Sequence, residues 1–126
     1  VGSEMCIRDR FKAEAYAALN QTPQAIIELN RVRDRAKIGT YSGSTNKIAV
    51  EKEILNERAR ELYLERKRWP DLLRFHYGGT IDVYQEVPNL KKKVDDNIII
   101  PLYLAIPLSD ININPNLKQT QGYENL

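Results

Sequence analysis

From Phe11 to Gly79 the chain alternates runs of helix-forming residues with sharp breakers at short intervals. That punctuation restricts it to short helices packed on one another. FKAEAYAALN is rich in strong helix formers and is broken at Gln21-Thr22-Pro23, where Thr22 suits an N-cap. Pro23 suits the first helical position, where its missing N–H has no partner to lose. In PQAIIELNRVRDRAKIG, Ala25, Leu29, Val32 and Ala36 form one apolar stripe, and Gly39 stands past its end as a stop. Two short antiparallel helices joined by a tight turn are expected. After the polar loop GTYSGSTN, the run KIAVEKEILNERARELYLERKRW predicts a longer helix from Lys47 to Trp69. Ile48, Leu55, Ala59 and Leu62 fall on one of its faces, with Val50 and Ile54 beside them. Pro70 interrupts, and DLLRFHY then supplies a short helical stretch with Asp71 near its positive N-terminus and Gly78-Gly79 as its end.

Beyond Gly79 the pattern changes. Residues 80–97 carry no sustained period, only a lysine run from Lys91 to Lys93 and a turn signal at Asp95-Asp96-Asn97. NIIIPLYLAIP is short, β-branched and cut by proline, which predicts an edge strand or an extended buried segment. SDININPNLKQTQGYENL reads as an ordered loop or tail. The expected fold class is therefore mainly α, helix hairpins followed by an irregular C-terminal segment with little strand.

Charge narrows the function classes. Nineteen Lys and Arg against seventeen Asp and Glu leave a net charge of +2, without the basic excess of a dedicated nucleic-acid binder. No run approaches the roughly 20 apolar residues of a membrane helix. The single cysteine, Cys6, can form neither an internal disulfide nor a cysteine-rich zinc site. It lies in VGSEMCIRDR, which has no apolar stretch or cleavage site of a secretory signal, and it follows Gly2, Ser3 and Glu4 rather than the apolar run that precedes a lipid-bearing cysteine. Those ten residues back-translate to a string resembling the end of a transposase sequencing adapter read in frame. Residues 1–10 are accordingly set aside as an adapter scar, and 11–126 are read as the native part of one domain.

The stretch NERARELYLERKRWPDLLRF carries the densest chemistry. Glu57, Glu61 and Glu65 recur at i+4, but catalytic carboxylates need environments that separate their pKa values, and a solvated helix stripe does not provide them. Arg58, Arg60, Arg66 and Arg68 are interleaved where they pair with those carboxylates, so the expected role is structural. His76, the lone histidine, has no partners for a metal site. Trp69, Phe75, Tyr77 and Tyr84 have faces suited to stacking on sugar rings, although Trp69 between Arg68 and Pro70 reads first as a packing anchor. No glycine-rich phosphate loop or nucleophile motif is present.

In order, AEAY, LNRVRDRA, ILNERARELYLERKRWPDLLR and LAIPLSDININPNLKQTQGY resemble the C-terminal part of the SusD/RagB family, over Phe11 to Tyr123. The resemblance implies tetratricopeptide-like helix pairs decorated by irregular segments. It marks Arg58, Glu61, Glu65, Arg68, Trp69, Asp71 and Arg74 as signature positions, read as an ion-pair cluster locking the long helix to the short one with Trp69 as its apolar plug. Pro107, Asn114, Pro115, Gln119, Gly122 and Tyr123 match the family's ending, expected to fold back over the helices. Arg66 stands where the family usually has glycine, Pro70 where an aromatic is common, and Thr120-Gln121 where Asn-Pro is usual, which bears on local turn geometry. The resemblance further implies a lipid-anchored protein on the outer surface of Gram-negative cells that binds an oligosaccharide or other nutrient over a SusC-like TonB-dependent transporter. It implies no catalysis, no cofactor and no metal, and it transfers no ligand-binding residue. Two competing readings are a tetratricopeptide-like adaptor for a protein partner, in which the ordered tail has no place, and an enzyme using the glutamate ladder, which lacks a second element.

Overall fold

The computed structural model describes residues 2–96 and 101–123, which fall into two compact units, Val1–Ile81 and Asp82–Leu126. The first unit holds α1 (Gly2–Ala18), α2 (Thr22–Arg35), α3 (Lys47–Glu61) and α4 (Arg68–Tyr77). Helix α1 runs back through the segment set aside as a scar, since GSEMCIRDR contains no proline and offers the helix no reason to stop. It closes at Asn20, whose φ of 61° lets Gln21 and Asn20 donate to the Tyr16 and Ala17 carbonyls. The chain then turns directly into α2, and the two helices pack closely through Ala13, Ala17, Ala25, Leu29 and Val32.

Several boundaries differ from the expected ones. Thr22 is the first helical residue rather than the N-cap, and Gln21 precedes it without a side-chain cap. Helix α2 stops at Lys37, not Gly39: Lys37 adopts φ 55°, with Ile38 and Lys37 donating to the Arg33 and Asp34 carbonyls. Ala36, expected on the stripe, is exposed. Helix α3 starts on an Asn46 cap, whose side-chain oxygen accepts from the Ile48 amide at 2.9 Å. Its buried face is Val50, Ile54 and Leu55 with Glu57 and Arg58, so the face is rotated from the expected one and Ile48 is left half-exposed.

The largest difference is the end of α3. The run of helix formers through Trp69 breaks at Glu61, and residues 62–67 form a turn with Leu64 at φ 70° and Arg66 at φ 56°. Helix propensity alone favours continuation. The turn instead folds α4 back onto α3, which brings Asp71 to Arg58. Pro70 does not interrupt α4 but sits in its first turn, where an amide proton has no intrahelical partner anyway. Gly79, at φ 80°, terminates α4 as expected. Leu72, Phe75 and Ile81 complete the core of this unit.

The second unit contains α5 (Val83–Glu86), α6 (Pro88–Asp95) and α7 (Leu108–Ile113). Helix α5 is capped by Asp82, whose carboxylate accepts from the Tyr84 amide at 3.0 Å, and α6 follows in contact with it. These helices occupy the stretch without period, because they are too short for a stripe to register. Asn97 and the Ile98–Ile100 part of the expected strand lie outside the described residues, and 101–107 are irregular. Among the described residues there is no strand, and the fold is mainly α, with helix pairs of the tetratricopeptide kind followed by an irregular segment.

Candidate functional site

The densest polar constellation lies where α1, α3 and α4 meet. Arg58 on α3 and Asp71 on α4 form a two-pronged pair: Nε donates to Oδ2 at 2.8 Å and Nη2 to Oδ1 at 2.9 Å. Both side chains are less than 10% exposed. Arg74, one turn further along α4, donates to the same Asp71 Oδ1 at 2.9 Å and also binds Glu14 of α1. The Arg58 guanidinium lies over the Phe11 ring, 5.4 Å from its centroid. Burial pushes the Asp71 carboxyl up, but the hydrogen bonds and charges of Arg58 and Arg74 outweigh it and hold the group below its ordinary value. Arg74 is held above its ordinary value, chiefly by its bond to Glu14. Asp71 is therefore ionised at neutral pH and has its lone pairs engaged, the opposite of what a general acid or base requires.

Of the residues marked in the sequence, the structure brings Arg58, Asp71 and Arg74 together. Arg68 ties the start of α4 to α3 by donating to the Leu55 carbonyl at 3.0 Å. Glu61 turns away from this cluster to pair with Arg10. Glu65 is exposed in the turn, because α3 ends before it and the glutamate ladder stops at Glu61. Trp69, expected as the apolar plug, is 40% exposed, while Phe75 and Leu72 are the apolar groups that α4 buries.

The C-terminal marks form a second constellation within 101–123. Gln119 presents both ends of its amide to Ile106, accepting from its N–H at 2.8 Å and donating to its carbonyl at 3.1 Å, as a neighbouring strand would. Thr120 reinforces this by donating to the Leu104 carbonyl at 3.0 Å. Pro107 precedes α7 and Asn114 ends it, the Asn114 side chain accepting from the Asn116 amide across a turn through Pro115. At Gly122 φ is 92° and a Cβ would collide with the Pro101 ring, so only glycine fits. Tyr123 closes the last turn onto the Thr120 carbonyl at 3.0 Å.

Two further carboxylates are buried: Glu57, which the sequence places on a solvated stripe, and Glu28, which it does not single out. Glu57, 2% exposed, accepts from Arg33 of α2 at 3.3 Å and from Arg60 at 3.1 Å, and both arginines also hold Glu53. Glu28 is held by Arg31 and by Lys12 of α1. The available signal was spacing: Glu57 follows Val50 and Ile54 at i+7 and i+3, on the buried stripe itself. Among the described residues every buried side-chain nitrogen and oxygen has a partner, and no group of acidic, His or Cys side chains is arranged to hold a metal. An open cleft of about 210 Å³ lies between Glu14, Lys47, Glu51, Phe75 and Thr80, its rim charges already paired with one another or with backbone.

A buried charge lattice joining short helices makes a helical scaffold, and a side-chain-pinned tail follows it in the chain. Comparison with known proteins places that scaffold. The sequence profile of the SusD family matches residues 11–123. The starch-binding protein SusD of Bacteroides thetaiotaomicron is 31% identical over 123 aligned residues, covering 94% of this chain and 21% of that protein. A SusD-like protein, P38, of Formosa agariphila is 31% identical over 121 residues, covering 90% of this chain and 22% of its own. No solved structure gives a significant match. The chain belongs to the SusD family and spans about a fifth of the length of these relatives.

Proposed function

We propose that this chain is the C-terminal part of a nutrient-binding lipoprotein of the outer-membrane surface, one that captures an oligosaccharide and passes it to a SusC-like TonB-dependent transporter. The observation that carries the reading is its likeness, over nearly its whole length, to a relative named as starch-binding. Its own part in that task is to stiffen the protein: a buried Arg58–Asp71–Arg74 lattice and a pinned tail hold a scaffold on which binding surfaces elsewhere are displayed. Residues 1–10 remain, on this reading, an adapter scar, consistent with a family match that starts at Phe11. No helix among the described residues is long and apolar enough to cross a membrane. The test is to recover the contiguous gene, express the intact product and measure its retention in gels containing starch or other polysaccharides, with its co-purification with the neighbouring transporter. Retention by one glycan together with a stable transporter complex is expected. No retention by any glycan and no transporter partner would overturn the proposal.

A further inference from the structure

The turn between α3 and α4 contains no residue that specifies a turn. Leu62, Tyr63, Leu64, Glu65, Arg66 and Lys67 include no glycine, proline, asparagine or aspartate, and all except Tyr63 are strong helix formers. Leu64 and Arg66 are nevertheless held at positive φ, and the turn closes through the Glu65 amide on the Leu62 carbonyl at 3.0 Å. A helix continued through these residues would relieve both strained positions and give each amide from Tyr63 to Lys67 a carbonyl four residues back. The register of the sequence permits that continuation. Leu72 follows Ile54 by eighteen residues, five turns of an α-helix, and Phe75 follows Glu57 by the same interval. The buried face of α4 would therefore lie on the same side of a continuous rod as the buried face of α3. Pro70 removes one bond, to the Arg66 carbonyl, and kinks the rod without adding a residue to its period.

In the closed chain α4 lies back on its own α3 through the Arg58–Asp71 pair, the Arg68 bond to the Leu55 carbonyl and the burial of Leu72 and Phe75. A single opened chain loses these contacts and leaves the ion pair broken, so it does not persist alone. Two opened chains lying antiparallel recover all of them, each α3 taking α4 from the other copy, and neither keeps a strained turn. We propose that this chain exchanges α4, with the residues that follow it, between two copies, forming a domain-swapped dimer whose hinge is residues 62–67. The partner is a second copy because it supplies Asp71, Leu72 and Phe75 at the spacing that Arg58 and the α3 face already fit. Closure within one chain prevails in dilute solution, since so short a hinge holds α4 near α3 at an effective concentration on the order of millimolar. The exchange rests on this hinge alone and is independent of the nutrient and transporter proposed above.

The test uses the full 126-residue chain, unfolded in urea and refolded by dilution at micromolar and at millimolar concentration. Sedimentation velocity is expected to find monomer in the first case and, in the second, a dimer that dissociates slowly when diluted. Arg66→Gly removes the strain of the closed turn and weakens the continued helix, and it is expected to lower the dimer fraction at least tenfold. Arg58→Asp and Asp71→Arg, made as separate chains, each set like charges against one another within a copy. Refolded together they are expected to give a one-to-one heterodimer, in which Arg58 of one chain meets Asp71 of the other and the reversed pair fills the second contact. Monomer alone at millimolar concentration, a dimer fraction unchanged by Arg66→Gly, or a wild-type dimer without the heterodimer would overturn the proposal. So would a dimer that forms from the folded chain without prior unfolding and dissociates at once on dilution, because that marks a surface contact.

Discussion

Arg58 and Asp71 are thirteen positions apart and sit less than 10% exposed, so each is the solvation shell of the other. Truncating one strands a buried charge, and Arg58→Ala is expected to cost about 3–5 kcal/mol. Glu65→Ala, at an exposed turn position, is expected to change stability by less than about 0.5 kcal/mol. Urea denaturation of both variants separates a lattice residue from a bystander, and equal losses would show that Glu65 belongs to the lattice after all. Arg66 makes the opposite case. Its φ of 56° is a conformation that costs a residue with a Cβ about 1–2 kcal/mol, and glycine carries no such penalty. After the extra chain entropy glycine has when unfolded, Arg66→Gly is expected to stabilise by about 0.5–1 kcal/mol, read as a higher melting temperature. Glycine fits this turn position better than arginine for that reason.

At the scale of elements, where the sequence carries a cap or a breaker the helix ends close to it. Asn46 starts α3 with a side-chain bond to the Ile48 amide, and Asn46→Ala is expected to lower stability by about 1 kcal/mol, with Asn46→Asp close to neutral in a thermal melt. Asn20 and Gly79 close α1 and α4 by the same left-handed device. The end of α3 has no such signal. ELYLERKRW is composed of helix formers, so only the gain from folding α4 back, with Asp71 between Arg58 and Arg74 and Phe75 in the core, accounts for two residues held at positive φ. The glutamate ladder divides for the same reason. Its three members share a spacing but not an environment: Glu57 is buried, Glu61 pairs with Arg10 and Glu65 lies beyond the helix.

For the whole molecule, the Asp71 lattice links stability to acid. Its carboxyl titrates below the ordinary value of 3.8 when folded, so its contribution is complete above about pH 4 and is lost as pH falls through the depressed folded value. Urea midpoints are expected to differ between the wild type and Asp71→Asn by a constant amount from pH 7 to 5, and the gap to narrow progressively as pH falls below 4. A gap that does not narrow at all on acidification below pH 4 would mean that the charge of Asp71 is not what the lattice uses. By itself the sequence determined the helical class, the family and some helix boundaries, the start of α3 after Asn46 and the end of α4 at Gly79 among them, because backbone geometry and side-chain period act over three or four residues. Tertiary structure alone decided which charges are buried and where α3 ends. Those outcomes depend on desolvation and pairing between groups far apart in the chain, and no local window contains both partners.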